Sequence, residues 1–312
     1  MYYPLLRARQ FELIALRELA LEEIIQRFVV PILEPVKESN NNLINAARIF
    51  GEKNLPVYII VNPLIGEIPG DNPHYINLLS EINNVEIRIA FHYRGNSNYI
   101  LKAIAENNFE NCMVICPTDT TIEDVSFITL ITHAAISAVC VESPGRNRSL
   151  HRFMRSLGKA YIRMDDLFEK QINNSAFLDI TEHRFSEEHL YYSQEGFTGF
   201  GDYTVLPSEY IDGGSTPRAV VIHLTYLKND SEIWIRHFTS NTNDSIANVQ
   251  GKFGEAAHKA VAFCREFNLT NSAIKELEEY YDTQHYPGLG ILKKISIKNH
   301  LIVVSDYLRM LL

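Results

Sequence analysis

Cysteine is scarce in this chain, and its few cysteines are badly spaced for a metal site. They are Cys112, Cys116, Cys140 and Cys264, too few for the disulfide scaffold of a secreted domain. Cys112 and Cys116 share one face of a predicted strand but lie about 13 Å apart along it, too far to bind one zinc ion. We therefore expect buried thiols in a reducing compartment, with no structural metal and no cofactor.

The chain also lacks long apolar runs and an excess of positive charge. No apolar run approaches the roughly 18 residues of a membrane span. A signal peptide has an apolar core followed by a small-residue cleavage site, and the opening MYYPLLRARQ has neither. The formal net charge is −9, whereas nucleic-acid binding needs a concentrated basic field. The sequence predicts a cytoplasmic protein with no membrane association and no direct nucleic-acid binding.

A regular series of short, apolar, β-branched segments organises the first half of the chain. The segment FVVPILEPVK, residues 28–37, stops on Glu34 and Lys37, and the later segments stop on polar residues in the same way. Successive segments begin 24 to 29 residues apart, at Phe28, Val57, Val85, Cys112, Ile136 and Ala160. One helix-length stretch separates each pair, which is typical of consecutive βα units.

The number of these segments predicts the fold. Adding residues 2–6 at the start and 199–206 near the end gives eight candidate strands. We predict a (β/α)8 barrel of the TIM type over residues 1–212. An open doubly wound sheet is the alternative, but no glycine-rich phosphate loop such as GxGxxG follows any strand. The glycines of GFTGFGDY predict a close approach of backbones near Asp202.

The C-terminal third of the chain follows a different pattern. AVVIHLTYL and EIWIRHFTS flank the polar turn KNDS and predict a β-hairpin. Two helices follow, over about 245–266 and 272–281, and the last segment is predicted as helix or strand. We expect residues 213–312 to pack on the barrel as an extension. A long insertion at 167–196 precedes the last barrel strand, and its histidines and glutamates match no metal motif.

Several segments carry a family resemblance: YYPLLRARQFELIALREL, PILEPVK, GFTGFGDYTVLPSEYIDGG, AVVIHLTYL and HYPGLGILKKISIKNHL. Together they resemble a bacterial family named for a myxobacterial locus and often encoded beside a small nuclease-like protein. The chain is more distantly similar to the phage Beta protein family, which begins with Tyr-x-Pro-x-Leu-Lys. The matching positions are Tyr2 or Tyr3, Pro4, Leu6, Arg7, Glu12, Ala15 and Leu16, with Pro31 to Glu34 and Gly201 to Tyr203. The phage resemblance implies protection of the host cell against a phage-borne killer protein, and it implies no catalytic residues.

The C-terminal ends of all strands meet at one face of a barrel, where functional groups gather. We assign catalytic roles to the strand-end residues Glu34, Lys37, Glu142 and Asp165. We assign ligand binding, to a small anionic molecule, to Arg7, Arg9, Asn62, His92, Asp119, Arg163 and Asp202. Whether His92 or Tyr93 points inward stays open, because charged residues alternate with the apolar ones in that segment.

Glu34 is the first choice for an acid or base. It ends the most apolar strand, so burial should raise its pKa, while Lys37 would lower the pKa if it folded back within about 4–6 Å. Arg7 and Arg9 leave the neighbouring strand and could hold an anionic substrate. The alternative is a buried Glu34–Arg7 ion pair that only closes the top of the barrel.

One basic cluster follows Glu142 in this otherwise acidic chain. It consists of Arg146, Arg148, Arg152 and Arg155. We expect these side chains to be exposed and to bind an acidic partner or a phosphate. The alternative is a solvated helix face without a partner.

Three functional hypotheses follow. The first is a defence or immunity protein of the antitoxin type, acting through a protein partner, which the resemblance suggests is the nuclease-like neighbour. The second is a TIM-barrel enzyme that uses carboxylates and basic groups on a phosphorylated or anionic substrate. The third is a regulatory barrel with a degenerate ligand site. The absence of a nucleophile elbow and of a metal-ligand quartet counts against the enzyme, whereas the polar mouth favours it.

Overall fold

The computed structural model describes residues 1–80, 82, 87–213 and 216–311. Its strands are β1 (Leu5–Leu6), β2 (Ile32–Leu33), β3 (Val57–Ile60), β4 (Ile87–His92), β5 (Cys112–Cys116), β6 (Ile136–Glu142), β7 (Ala160–Asp165), β8 (Glu182–Ser186), β9 (Gly199–Asp202), β10 (Val221–Lys228) and β11 (Glu232–Thr239). Its α-helices are α1 (Gln10–Leu21), α2 (Asn41–Glu52), α3 (His74–Leu79), α4 (Ser97–Asn107), α5 (Val125–Thr132), α6 (Arg148–Ser156), α7 (Glu188–Tyr191), α8 (Val249–Glu266), α9 (Ser272–Asp282) and α10 (Leu289–Met310). The predicted strand start at Val85 lies outside the described residues.

Eight parallel strands form a nearly closed barrel. The order in the sheet is β1-β2-β3-β4-β5-β6-β7-β9, and helices alternate with most of the strands. A bridge between Tyr2 and Phe200 joins the two ends of the sheet, and the amide of Tyr3 donates to the carbonyl of Phe200 at 2.8 Å. The predicted (β/α)8 architecture is confirmed.

Side chains along the barrel strands alternate between the barrel centre and the surrounding helices. Ile32, Ile115 and Met164 belong to the cluster that fills the centre. Leu33 and Val114, each next to a central residue, pack outward under the helices. Because both faces are buried, these strands are mostly apolar instead of alternating strictly with polar residues, with Arg88 in β4 and Arg163 in β7 as exceptions.

The last barrel strand depends on two glycines. A Cβ atom at Gly199 would overlap the ring of Tyr3, and one at Gly201 would overlap the carbonyl oxygen of Tyr3. Glycine therefore allows β9 to approach the first strand closely enough to join the ends of the sheet. This is the close backbone approach that the GFTGFGDY segment predicts.

The C-terminal hairpin is confirmed, and the insertion contributes a strand to it. β10 and β11 pair antiparallel from Val221 opposite Thr239 to Lys228 opposite Glu232. β8, which lies within the insertion, pairs antiparallel with β11 and forms a three-stranded sheet. The insertion is thus part of the same sheet as the hairpin. The final segment, left open between helix and strand, is α10.

Helix α10 lies against both α1 and β10, so the C-terminal region and the barrel share one apolar core. Lys294 and Lys298 on α10 are only 6% and 5% exposed. Their ammonium groups lie 2.8 Å and 3.0 Å from the carboxylate of Glu18 on α1, and buried charges need such partners. Among the described residues, no helix is both long and apolar enough to cross a membrane.

Candidate functional site

A polar cavity of about 300 Å³ opens at the C-terminal ends of the barrel strands. It is lined by Arg7, Glu34, Leu64, Ile65, His92, Thr118, Glu142, Ser143, Met164, Asp166, Tyr203 and Ser208. These residues follow or end β1, β2, β3, β4, β5, β6, β7 and β9, so every barrel strand contributes to the mouth. The volume lies at the lower end of the roughly 300–1,000 Å³ typical of small-molecule sites.

Glu34 is the most enclosed charged group of the cavity. Its side chain is 1% exposed and forms an ion pair with Arg7, whose side chain is 16% exposed. The amide of Leu64 donates to Oε1 of Glu34 at 2.8 Å. Burial alone would raise the pKa of Glu34, but the contacts with His92, Arg7 and the Leu64 amide outweigh it and lower the pKa. Glu34 is therefore a carboxylate at neutral pH.

His92 is held in place through its backbone and points into the mouth. Its amide donates to Oδ1 of Asn62 at 2.8 Å, and the side-chain amide of Asn62 donates to the His92 carbonyl at 2.9 Å. Nε2 of His92 lies 3.2 Å from Oε1 of Glu34, although the pair is not aligned as a hydrogen bond, and neither ring nitrogen has another described partner. Since a carboxylate only accepts, this contact favours the tautomer with the proton on Nε2 and a lone pair on Nδ1.

Arg7, Tyr203, Ser208 and Asp166 form one wall of the cavity. The guanidinium of Arg7 lies 5.3 Å from the centre of the Tyr203 ring and donates to the carbonyl of Ser208. The hydroxyl of Ser208 donates to Asp166 at 2.5 Å. Burial raises the pKa of Tyr203 well above its ordinary value, so its phenol keeps its proton. Among the cavity residues, Arg7 donates hydrogen bonds to Glu34 and to Ser208.

Glu142 lies at the end of β6, on another side of the mouth. Its side chain is 26% exposed, and one carboxylate oxygen lies 3.8 Å from the guanidinium of Arg94. The hydroxyl of Thr118 donates to the backbone carbonyl of Glu142 at 2.7 Å, and the side chain of Glu142 lines the cavity. Glu142 is thus less constrained than Glu34.

Three non-glycine residues with positive φ follow strand ends around this mouth. They are Ala8 (φ 50°), Ser143 (φ 45°) and Thr204 (φ 58°), which come after β1, β6 and β9. The left-handed region is unfavourable for residues with a Cβ atom, most of all for β-branched threonine. Backbone conformations of this kind are often found at functional sites, although other non-glycine residues of the described chain, such as Asn54 and Asn108, adopt them away from the mouth.

Three residues assigned to the mouth from the sequence lie on or beyond its rim. Lys37 is 45% exposed and pairs with Glu67 at 2.9 Å, so it does not fold back onto Glu34. The guanidinium of Arg9 lies 5.8 Å from the centre of the Tyr210 ring. Asp119 is exposed. None of the three lines the cavity, and Lys37 and Asp119 fall outside because they belong to the exposed loops that follow their strands.

Three further assignments need correction, because these side chains point away from the barrel centre. Asp165 accepts from Nε of Arg163 at 2.8 Å, and Arg163 also pairs with Glu188 and Glu195. Burial raises the pKa of Glu188 in this cluster to about 7. Met164, between Arg163 and Asp165, belongs to the central cluster, so both neighbours face outward.

Asp202 also faces outward, behind the barrel wall. It is 2% exposed and accepts from the hydroxyl of Tyr2 at 2.5 Å, and one of its oxygens lies 3.6 Å from Nε2 of His300 on α10. Asn62 does not line the cavity either, although it positions His92. Of the eleven assigned residues, Arg7, Glu34, His92 and Glu142 line the cavity.

Sequence reasoning missed Asp166, Tyr203, Thr118, Ser143 and Ser208 as lining residues. Met164 belongs to the central cluster and lies opposite Gly201 of β9, so two-residue periodicity places Asp166 and Tyr203 on the inward face. The sequence alone does not show which of two adjacent strand residues faces inward. Thr118, Ser143 and Ser208 lie in loops, where this periodicity does not apply.

The described residues contain no group of three or more His, Cys, Asp or Glu side chains placed to hold a metal ion. Searches of protein-family models, of curated proteins and of solved structures give no match to the chain. The resemblance to the bacterial family and to the phage Beta protein family therefore stays a prediction.

Proposed function

We propose that the barrel mouth is the active site of an enzyme in which His92 transfers a proton to or from a small polar substrate. The observation that carries this proposal is His92 itself. It lines the cavity, its Nε2 lies 3.2 Å from the ionised carboxylate of Glu34, and its buried Nδ1 has no hydrogen-bond partner among the described residues. Hydrogen bonds in such sites are often poorly aligned before substrate binds.

Glu34 is a positioning residue in this proposal. Both of its oxygens already have partners, Arg7 on one and Leu64 with His92 on the other. Its negative charge fixes the tautomer of His92 and stabilises the imidazolium that forms when Nδ1 takes a proton, as an orienting carboxylate does for a histidine base. Its lowered pKa makes Glu34 unsuited to act as the acid.

The substrate class follows from the excess of acceptors in the cavity. Glu34, Glu142 and Asp166 contribute three carboxylates against the single guanidinium of Arg7 among the lining residues. Such a site repels anions and favours groups that donate hydrogen bonds. We therefore propose a neutral or cationic substrate with hydroxyl or amino groups instead of the anionic one predicted from the sequence. Glu142, which is partly exposed, would accept from those groups.

The test is untargeted metabolite profiling with purified protein. Wild-type protein, the His92→Asn variant and the control Lys102→Gln, an exposed change away from the mouth, are each incubated with a small-molecule extract. The proposal expects at least one neutral or cationic polar compound to be consumed by wild type and control but not by His92→Asn. Consumption that is equal in all three samples, or limited to phosphorylated compounds, would contradict it.

We also propose a partner-binding function for the arginine face, defined as Arg146, Arg148, Arg152 and Arg155. All four are exposed, and none forms an ion pair with another described residue. Arg148, Arg152 and Arg155 are spaced to lie along one side of α6, which follows the mouth strand β6. The protein has a net charge of −9, so this group of unpaired positive charges stands out from the rest of its surface. We therefore expect it to bind an acidic protein surface.

This second proposal joins the arginine face to the predicted defence role. The product of a neighbouring nuclease-like gene is the candidate partner that the family resemblance suggests. A pull-down of that product by the wild-type protein, and its loss when Arg148 and Arg152 are both changed to Glu, would support the proposal. Equal capture by the wild type and the doubly reversed variant would contradict it.

A further inference from the structure

A second cavity, of about 500 Å³, lies outside the barrel between the hairpin and α8. β8 pairs with β11 only up to Arg236, so the end of β11 runs on beside this cavity. We call it the aromatic pocket and define it by Phe177, His237, Thr239, Lys259, Phe263 and Phe267, which are among its lining residues. It shares no lining residue with the barrel mouth.

Aromatic rings form the walls of the aromatic pocket. The rings of Phe177 and His237 have centroids 4.5 Å apart, and those of Phe263 and Phe267 are 4.6 Å apart. The guanidinium of Arg236 lies 4.5 Å from the centre of the Phe263 ring. Rings in such arrangements offer flat apolar faces against which a planar molecule can stack.

His237 contributes a ring face and no charge. Its Nδ1 lies 2.7 Å from Nδ1 of His223, and its Nε2 lies 3.3 Å from Nε2 of His183, so both ring nitrogens already have partners. Burial, together with the neighbouring His223 and His183, lowers the pKa of His237 to about 2. The ring is therefore neutral at physiological pH.

The polar groups of the pocket favour an anion. Nζ of Lys259 donates to the carbonyl of Thr239 at 2.6 Å and to Oδ1 of Asn241 at 2.7 Å, which leaves one of its three donors free. No described carboxylate forms an ion pair with Lys259, and Glu255, one turn earlier, accepts from the amides of Asn241 and Thr242.

A second polar group is also without a partner. Thr239 is 2% exposed, and its Oγ1 has no hydrogen-bond partner within the described structure. Buried hydroxyls without partners are uncommon, because each loses its hydrogen bonds to water without gaining others. The carboxylate among the lining residues belongs to Glu266, which is exposed at the rim.

We infer that the aromatic pocket is a second ligand site, for a planar aromatic molecule that carries one anionic group such as a carboxylate or sulfonate. The rings of Phe177, Phe263 and Phe267 would hold the aromatic part. The Lys259 ammonium would bind the anionic group, and Thr239 would supply a further hydrogen bond. This inference does not depend on the chemistry proposed for the barrel mouth.

The test compares two fluorescent probes that differ in charge: anilinonaphthalene sulfonate and neutral N-phenyl-1-naphthylamine. Lys259→Gln should raise the Kd for the sulfonate about fivefold or more and leave the Kd for the neutral probe within about twofold, since it removes one charge-assisted contact. Phe267→Ala, a change at a half-exposed ring, should weaken both probes. Lys275→Gln removes an exposed charge on α9 and should change neither Kd.

The melting temperature of each variant is measured alongside, so that a loss of binding is not confused with a loss of the fold. The inference would be overturned if the wild type bound neither probe, or if Phe267→Ala left both Kd values unchanged. Equal weakening of the two probes by Lys259→Gln would overturn the role of the ammonium as the anion ligand.

Discussion

Changing Glu34 to Gln removes the buried negative charge of the mouth and keeps the size of the side chain. The variant leaves Arg7 without its counter-ion and His92 without the carboxylate 3.2 Å from its Nε2. Breaking a buried ion pair costs about 3–5 kcal/mol. Arg7 remains 16% exposed and keeps its bond to the Ser208 carbonyl, so we expect the lower figure of about 2–3 kcal/mol.

This loss is large enough to measure by thermal or urea unfolding. Unfolding entropies of about 2.1 cal/mol/K per residue, over 312 residues, convert it to a fall of roughly 3–5 °C in melting temperature. Glu106→Gln is the matched control, because Glu106 is 62% exposed and pairs only with Lys102 at 3.7 Å. If the two variants melted at the same temperature, the buried pair would contribute nothing and the reasoning would fail.

The effect of Glu34→Gln should also depend on pH with a defined sign. The folded-state pKa of Glu34 lies below its ordinary value of 4.5, so the unfolded chain takes up the proton first as the pH falls. The stability difference between wild type and variant should be complete above about pH 4.5 and shrink as the pH falls through the folded-state pKa. A difference that grew on acidification would contradict the lowered pKa.

Three other predictions follow from the remaining charged groups. Changing both Arg148 and Arg152 to Glu should slow association with the nuclease-like neighbour about tenfold at low salt and leave the melting temperature unchanged; equal rates across a salt series would refute this. Lys298→Met should lower the free energy of unfolding by about 1–2 kcal/mol in urea, because Glu18 loses one of its two lysines and Glu22 loses its lysine; an unchanged midpoint would show that these ion pairs are not stabilising. His237→Asn should make the free energy of unfolding less sensitive to acid, by up to about 1.4 kcal/mol per pH unit below pH 6.5, because the buried ring of the wild type resists the proton that the unfolded ring accepts. The prediction would be contradicted if wild type and variant lost the same stability between pH 7 and pH 5.

The barrel could be predicted because its signal is local and repeated. Each strand is a short apolar run with a polar stop, and the spacing between runs is set by one helix. The run around Glu34 is the clearest example, because it marks the position of β2 although β2 itself is only Ile32–Leu33. The hairpin of β10 and β11 was equally accessible, because its strands are joined by a short polar turn.

It was harder to predict which side chains at the strand ends point into the cavity. In strands buried on both sides, the residue types do not mark the inward side, and the sequence therefore does not show that Asp166 and not Asp165 faces the cavity. His92 and Tyr93 could not be separated for the same reason. The answer came from the register of β4 beside β5, where His92 pairs with Ile115 of the central cluster.

Contacts between distant parts of the chain were not predictable from the sequence. β8 pairs with β11 across about fifty residues, with Glu182 opposite Arg236, and the strand is short and polar. The contact of His183 with His237 depends on that pairing, whereas His223 and His237 lie opposite each other in the hairpin. The aromatic pocket combines residues as far apart as Phe177 and Phe267, so it has no local signature in the sequence.

The most direct test of the proposed active site is the tautomer of His92, measured by long-range ¹H–¹⁵N NMR correlation on ¹⁵N-histidine-labelled protein at pH 7.5. The wild type should carry its proton on Nε2, facing Glu34, with Nδ1 unprotonated and able to accept a proton from substrate. The Glu34→Gln variant should lose this preference, because the amide can donate as well as accept. A wild-type His92 with its proton on Nδ1, or a tautomer unaffected by Glu34→Gln, would contradict the account.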